Sequence, residues 1–222
     1  MGFDLPALSR GELGARLRDL SPEPLSDEVI GGLAAFYEEL RQWNRRLSLI
    51  GRGTRGEVLE RHFGESLAAL PLLPTDGGAL VDLGSGAGFP ALVLAVARPR
   101  WKVTLIESRQ RKWAFLESVK RRAGLSCRCL NARVGPALPQ GVPAQIDVIT
   151  VRAVELSERL LAPLRPRLDE EARLLCWRGV SETPELRGFA PGREIRLAHS
   201  ENRRIVELVT VEQPRATGRV SR

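Results

Sequence analysis

The chain has 222 residues, 43% hydrophobic, 5% aromatic and 27% charged, with 34 basic against 27 acidic side chains for a net charge of +7. That suits one ordinary globular domain and argues against disorder; the longest apolar run, 89–97, contains Pro90 and falls well short of the ~20 residues that cross a bilayer. Three cysteines suit neither a disulfide framework nor a zinc site, and residues 1–10 hold no apolar stretch of signal-peptide length, so a cytoplasmic protein is expected, with a pI of about 10.3 favouring a polyanionic partner.

Residues 1–77 read as a helical cap. Val29, Leu33, Phe36, Tyr37, Leu40, Trp43 and Leu47 fall on one stripe of a 3.6-residue helix, and Ser26 followed by Asp27 and Glu28 supplies its cap and first-turn acids. A glycine-rich loop at 51–56 leads to a second helix at 57–70, ended by Pro71. From residue 78 to 212 the pattern changes to strands at 79–83, 102–106, 126–130, 146–151, 173–177, 194–197 and 205–211, with helices at 89–98, 109–123 and 156–164. The last two strands lie too close in sequence to hold a crossover helix and are expected to pair antiparallel at one edge. A mostly parallel seven-stranded sheet ending in an antiparallel hairpin is typical of class I (Rossmann-like) methyltransferases. Residues 213–222 form a basic tail.

The densest signal is Leu80-Val81-Asp82-Leu83-Gly84-Ser85-Gly86-Ala87-Gly88-Phe89-Pro90, where a buried strand enters a glycine-rich turn before a helix. Backbone can approach a ligand there, and Glu107, at the end of the next strand, is placed to accept hydrogen bonds from ribose hydroxyls. The dinucleotide fingerprint needs its third glycine at 89, where phenylalanine stands, and no G-K-[S/T] of a phosphate loop follows. The spacing, with the acid at Asp82, resembles the S-adenosylmethionine loop.

The reacting group is expected at the end of the fourth strand, Thr150-Val151-Arg152-Ala153. The Asn/Asp-Pro-Pro-Tyr/Phe tetrapeptide of amino-group methyltransferases is absent there. Cys127, Cys129 and Cys176 fall inside strands, where packing is the plainer reading than a C5-type nucleophile. A purine N7 requires neither device, because its lone pair is nucleophilic and carries no proton; no general base is therefore expected.

Trp43-Asn44, Glu60-Arg61-His62 with Ser66-Leu67, the run 82–90, Arg111-Lys112 with Phe115-Leu116, and Arg152-Ala153 together resemble the RsmG (GidB) family over about residues 28–180. The resemblance implies methylation of guanine N7 in bacterial 16S ribosomal RNA from S-adenosylmethionine. It implies that Gly84 and Phe89 shape the methionine side of the site, that Val134 and Gly135 lie against adenine, and that Arg152 lines the pocket. Ser48, Glu65, Gly135 and Arg178 stand where the family usually has other residues, and the C-terminus lacks its usual arginine-rich ending.

The expected cofactor residues are accordingly Gly84, Ser85, Gly86, Gly88, Phe89, Glu107, Val134, Gly135 and Arg152, with Arg152 also positioning substrate. His62, Arg109, Arg111, Lys112, Arg133 and Arg178 are the expected RNA contacts; no metal, membrane or protein partner is expected. The local alternative for Arg152 is an ion pair with Glu155 or Asp147. Trp113 could stack on a base but reads first as core, and His199 as a turn residue. Residues 1–77 hold 9 basic and 12 acidic side chains, whereas 98–133 hold 11 basic residues against Glu107 and Glu117, so the cap is not expected to supply the electrostatic grip. The expected substrate is 16S rRNA or the small ribosomal subunit. Rival readings are a methyltransferase of the same fold acting on another RNA or a small molecule, and an inactive relative that binds RNA.

Overall fold

The computed structural model describes residues 2–179 and 185–211; the basic tail at 213–222 lies outside them. Helix α1, Arg10–Leu20, opens on a capping box in which Ser9 Oγ accepts from the Glu12 amide and Glu12 accepts from the Ser9 amide. Helix α2, Asp27–Asn44, is capped by Ser26 and buries Leu33, Phe36, Tyr37 and Leu40 of the expected stripe. It stops before Leu47, for a reason local to Asn44. That side chain is fully buried; its Oδ1 accepts from the Leu49 and Ile50 amides (3.0 and 3.3 Å) while its Nδ2 donates to the Phe3 carbonyl (2.9 Å). The chain is folded back against the helix end.

The expected loop at 51–56 winds as a 3-10 turn, Arg52–Glu57, and the expected helix at 57–70 is not a plain α-helix. Leu59–Gly64 is π-wound, with the Glu65 amide reaching back to the Glu60 carbonyl. A short α-helical turn, α3, follows over Glu65–Leu67, and Leu70–Leu72 closes the segment as a 3-10 turn containing Pro71.

The remainder is one seven-stranded sheet. Its strands are β1 (Gly78–Leu83), β2 (Trp101–Glu107), β3 (Arg128–Asn131), β4 (Ile146–Arg152), β5 (Leu168–Gly179), β6 (Phe189–Arg196) and β7 (Arg203–Thr210), in spatial order β3-β2-β1-β4-β5-β7-β6. The pairs β1–β2, β1–β4, β2–β3 and β4–β5 are parallel, while β7 is antiparallel to both β5 and β6. The expected mixed sheet with its antiparallel hairpin is therefore present. Strand β6 begins earlier than the expected 194–197, because a register slip between Pro191 and Glu194 admits a proline on the sheet edge. Strand β5 extends beyond 173–177 along both neighbours.

Alternating side chains send Leu80, Val103, Leu105 and Val148 to one core and Val81, Leu83, Ile106, Ile149 and Val151 to the other. On the first face, helices α4 (Ala91–Ala97) and α5 (Gln110–Arg122) lie between sheet and cap, and the cap's own core is continuous with theirs. Helix α4 is buried on every side, which explains its uniformly apolar sequence. The second face carries only a short helix, α6 (Glu158–Leu161), capped by Ser157, where 156–164 was expected; Pro163 and Pro166 follow it. No helix among the described residues is long and apolar enough to cross a membrane.

Candidate functional site

The order of strands reverses between β1 and its neighbours β2 and β4, which opens a crevice beyond their carboxyl ends. A cavity of about 420 Å³ occupies that crevice. Its first wall is the turn after β1. The amides of Gly84 and Ser85 donate to the Ile106 carbonyl (2.9 and 3.1 Å), and the Gly88 amide to the Ser85 carbonyl (2.7 Å). The Gly86 amide donates to Glu107 Oε2 (2.8 Å) and the Arg109 amide to Oε1 (2.7 Å). Glu107 is thereby fixed with one accepting lone pair per oxygen still free, which suits a ribose diol. Gly84 has φ +69°, and a Cβ there would come within 2.5 Å of Val154 Cγ2; Gly86 faces the cavity opposite Lys112.

Beneath the turn, Asp82 is almost wholly buried. Thr150 Oγ1 donates to its Oδ1 (2.6 Å), Oδ2 has no hydrogen-bond partner, and burial pushes the carboxyl up to about 6. Asp82 supports the turn from below and does not line the cavity.

The second wall comes from the cap: Leu49, Ile50 and His62. The His62 ring lies 5.1 Å from that of Phe89, which also packs on Phe36 and Phe63. Thr54 Oγ1 donates to the Gly51 carbonyl and is 3.0 Å from His62 Nε2, so the ring proton sits on Nε2 and is donated to Thr54. Burial, then the nearby guanidinium of Arg152, lowers the imidazole to about 3. His62 is thus neutral at ordinary pH and does not act as a cationic phosphate contact.

Arg152, Ala153 and Val154 close the cavity at the end of β4. Neither local partner expected for Arg152 is used. Its Nη2 donates to Glu65 Oε2 (2.8 Å) and to the Arg61 carbonyl (2.6 Å), whereas Asp147 accepts from the Ala79 amide. Glu65 also meets Arg203 (2.9 Å) and Arg61 (3.3 Å), and its carbonyl accepts from Trp177 Nε1. One buried carboxylate therefore holds three guanidinium groups. Burial raises the Glu65 carboxyl against the pull of those cations, and burial lowers Arg152 to about 10, which leaves it charged near neutrality. Arg152 Nη1 is buried with no hydrogen-bond partner, an unused donor on a residue lining the cavity.

Of the expected residues, the structure brings together Gly84, Ser85, Gly86, Phe89, Glu107, Arg152, His62, Arg109 and Lys112. Gly88 instead packs under the turn, where a Cβ would strike Leu92. Val134 and Gly135 do not line this cavity, and Val134 packs on the second core. Arg111 faces an adjacent groove, Arg133 is exposed, and Arg178 donates to the Val154 carbonyl. Trp113 is held in the core by its bond to the Cys129 carbonyl, and all three cysteines are free and buried away from the cavity. The described residues contain no group of three or more His, Cys, Asp or Glu able to hold a metal ion. Sequence reasoning missed Leu49, Ile50, Ala153 and Val154 at the cavity and Glu65 as the partner of Arg152. Of these, Glu65, adjacent to Ser66-Leu67, and Ala153, in the Arg152-Ala153 pair, carried a local signal.

These residues fit S-adenosylmethionine. A glycine turn with one position open to the cavity, a fixed carboxylate for the ribose and a neutral imidazole leave room for a cationic ligand without phosphate.

The sequence family described as GidB, rRNA small subunit methyltransferase G, matches residues 30–212. The chain is 36% identical over 171 residues to the ribosomal RNA small subunit methyltransferase G of Paramagnetospirillum magneticum, covering 77% of this chain and 81% of that protein. It is 40% identical over 166 residues to the protein of the same name from Rhodospirillum centenum, covering 75% and 71%. Among solved structures, a SAM-dependent methyltransferase from Aquifex aeolicus superimposes with a TM-score of 0.54 at 16% identity, covering 69% of this chain and 93% of that one. An MtNAS variant in complex with S-adenosylmethionine gives 0.55 at 15% identity, covering 82% and 74%. At such identities the structural likeness establishes the fold.

Proposed function

The chain belongs to the rRNA small subunit methyltransferase G family, and from that membership we propose that it methylates N7 of a guanine in 16S rRNA, taking the methyl group from S-adenosylmethionine. When bound, the cofactor supplies an electrophilic methyl on a sulfonium. Glu107 would hold its ribose, the Gly84–Gly86 backbone would lie along it, and Phe89 would shape the methionine side.

The observation that carries the choice of N7 is the state of the proton acceptors around the cavity. His62 is lowered to about 3 and is a feeble base; Glu107 has one lone pair of each oxygen tied to a backbone amide and the other would be taken by the ribose diol. An exocyclic amine or a hydroxyl must lose a proton during transfer, whereas N7 attacks through its lone pair and leaves nothing for the protein to remove. The chain's contribution is then to hold the base in line and exclude water. Arg152, braced by Glu65 and with Nη1 unused, would donate to guanine O6 beside the reacting nitrogen.

The test compares 16S rRNA from cells with and without the gene by borohydride reduction, aniline cleavage and reverse transcription. One N7-methylguanosine stop is expected to disappear with the gene and return with the purified protein and cofactor. Unchanged stops, or methylation found at another atom by mass spectrometry of the nucleosides, would refute the N7 reading.

A further inference from the structure

Beside the cavity lies a second, larger depression of about 720 Å³, lined by Gln42, Trp43, Arg45, Arg46, Leu47 and Arg111. It sits where the last turn of α2 meets the first turn of α5. The two helices are locked together there: Trp43 packs edge-on to Phe115 at 5.9 Å, and Glu39 accepts from Trp43 Nε1, Ser118 and Arg122. Trp43 and Leu47 give the groove a half-buried apolar floor, while Arg45, Arg46 and Arg111 are exposed. No acidic residue lines it. Asp4 meets Arg45 Nε (2.6 Å) only as a surface pair, with both side chains more than half exposed.

Both walls of this groove run on into the cavity. Arg45 and Arg46 are followed by Leu49 and Ile50, which line the cavity and are pinned by Asn44. Arg111 stands between Arg109 and Lys112, which also line the cavity. A polyanion lying in the groove would be led along two fixed chain segments to the place where a base must enter. The cap, acidic in total, supplies two of the three arginines, which segment charges had concealed.

We propose that this groove binds the phosphodiester backbone of the single-stranded RNA flanking the target base, with Arg45, Arg46 and Arg111 on its phosphates and the apolar floor beneath a neighbouring base. The assignment rests on the rRNA reading and adds to it the path of the strand and the participation of the cap.

The test sets an Arg46→Glu/Arg111→Glu protein against an Arg100→Glu/Arg121→Glu protein, whose identical charge change lies at the opposite ends of β2 and α5. Affinity is read with a fluorescein-labelled single-stranded RNA as KCl is raised, and methyl transfer with small ribosomal subunits from cells lacking the gene. The groove variant is expected to bind RNA roughly tenfold or more weakly, since removing one arginine–phosphate hydrogen bond is worth about a factor of ten. Its salt slope should fall by about 1.4, at ~0.7 per phosphate on a single strand. KM for the subunit should rise while the cofactor Kd stays put, and the control pair should resemble wild type. Equal losses in the two variants, or a groove variant indistinguishable from wild type, overturn the groove while leaving the rRNA reading intact. A wild-type protein that neither binds this RNA nor methylates the subunits overturns both.

Discussion

The two walls of the cavity are built by opposite means. The sheet wall, Gly84 to Glu107, is held by backbone amides and one carboxylate, all within one strand-turn-helix-strand unit. The cap wall is held by side chains that meet across the chain: Glu65 on Arg152 and Arg203, Asn44 on residues 49 and 50, Thr54 on His62. The first kind depends on φ angles and spacing and tolerates little change in shape. The second depends on side-chain charge and hydrogen bonding, with its ion pairs joining residues 87 and 138 positions apart, and its failures are electrostatic. Substitutions on the two walls should therefore differ in kind as well as in size.

The largest effect is expected on the cap wall. Glu65→Ala leaves three guanidinium groups around a buried site without their counter-charge, which costs about 3–5 kcal/mol and lowers Tm by on the order of 10 °C. Glu65→Asp, which keeps the charge on a shorter side chain, should recover part of that loss. Thermal unfolding of both proteins checks this, and an unshifted Glu65→Ala would remove the carboxylate from its place at the centre of the wall. Next comes Gly84→Ala on the sheet wall. The left-handed backbone costs an alanine about 1–2 kcal/mol, and the 2.5 Å approach to Val154 adds to it. S-adenosylmethionine titration should show binding weakened tenfold or more with only a modest fall in Tm, the inverse of the Glu65→Ala pattern; the same pattern in both variants would erase the contrast.

The walls also oppose one another in pH. His62 is lowered from 6.5 to about 3, so between those values the unfolded chain binds a proton that the folded chain does not. Its contribution to stability is complete above pH 6.5 and declines as pH falls, by at most about 1.4 kcal/mol per unit. Asp82 is raised from 3.8 to about 6, so its protonated form favours the fold below 3.8 and that contribution is lost as pH rises through 6. From pH 4 to 6 the two slopes oppose. Urea unfolding of His62→Gln should show stability falling more steeply with rising pH over this window than wild type, and Asp82→Asn the reverse. Identical profiles for His62→Gln and wild type would exclude a buried neutral imidazole. The smallest effect is Thr54→Val, which removes the acceptor of His62 Nε2–H at about 1 kcal/mol by the same unfolding measurement.

The same division explains what could be read from the sequence. The sheet wall was legible because Gly84, Gly86, Phe89 and Glu107 obey local spacing, and the strand pattern led to the seven-stranded sheet. The cap wall was not, because periodicity carries no record of a long-range pair: Arg152 is 87 residues from Glu65 and was matched instead with neighbours in sequence. Leu49 and Ile50 were overlooked because Asn44 ends α2 by a side-chain bond and turns the chain into the cavity, where helical periodicity continued to Leu47. Val134 and Gly135 were placed by resemblance alone, and neither is among the residues that line the cavity.

The wide winding at Leu59–Gly64 acts as a phase setting for the whole cap wall. In an α-helix the Glu65 amide would bond to the Arg61 carbonyl; here it reaches Glu60, and the Arg61 carbonyl receives the Arg152 guanidinium. The extra residue in the turn thus supplies one handhold for Arg152 and rotates the Glu65 carboxylate into position as the other. Winding the same residues 59–64 as a plain α-helix would turn Glu65 by about 100° and return the Arg61 carbonyl to the Glu65 amide in the same step. The pitch of this segment is consequently as much a part of the cap wall as the side chains it carries.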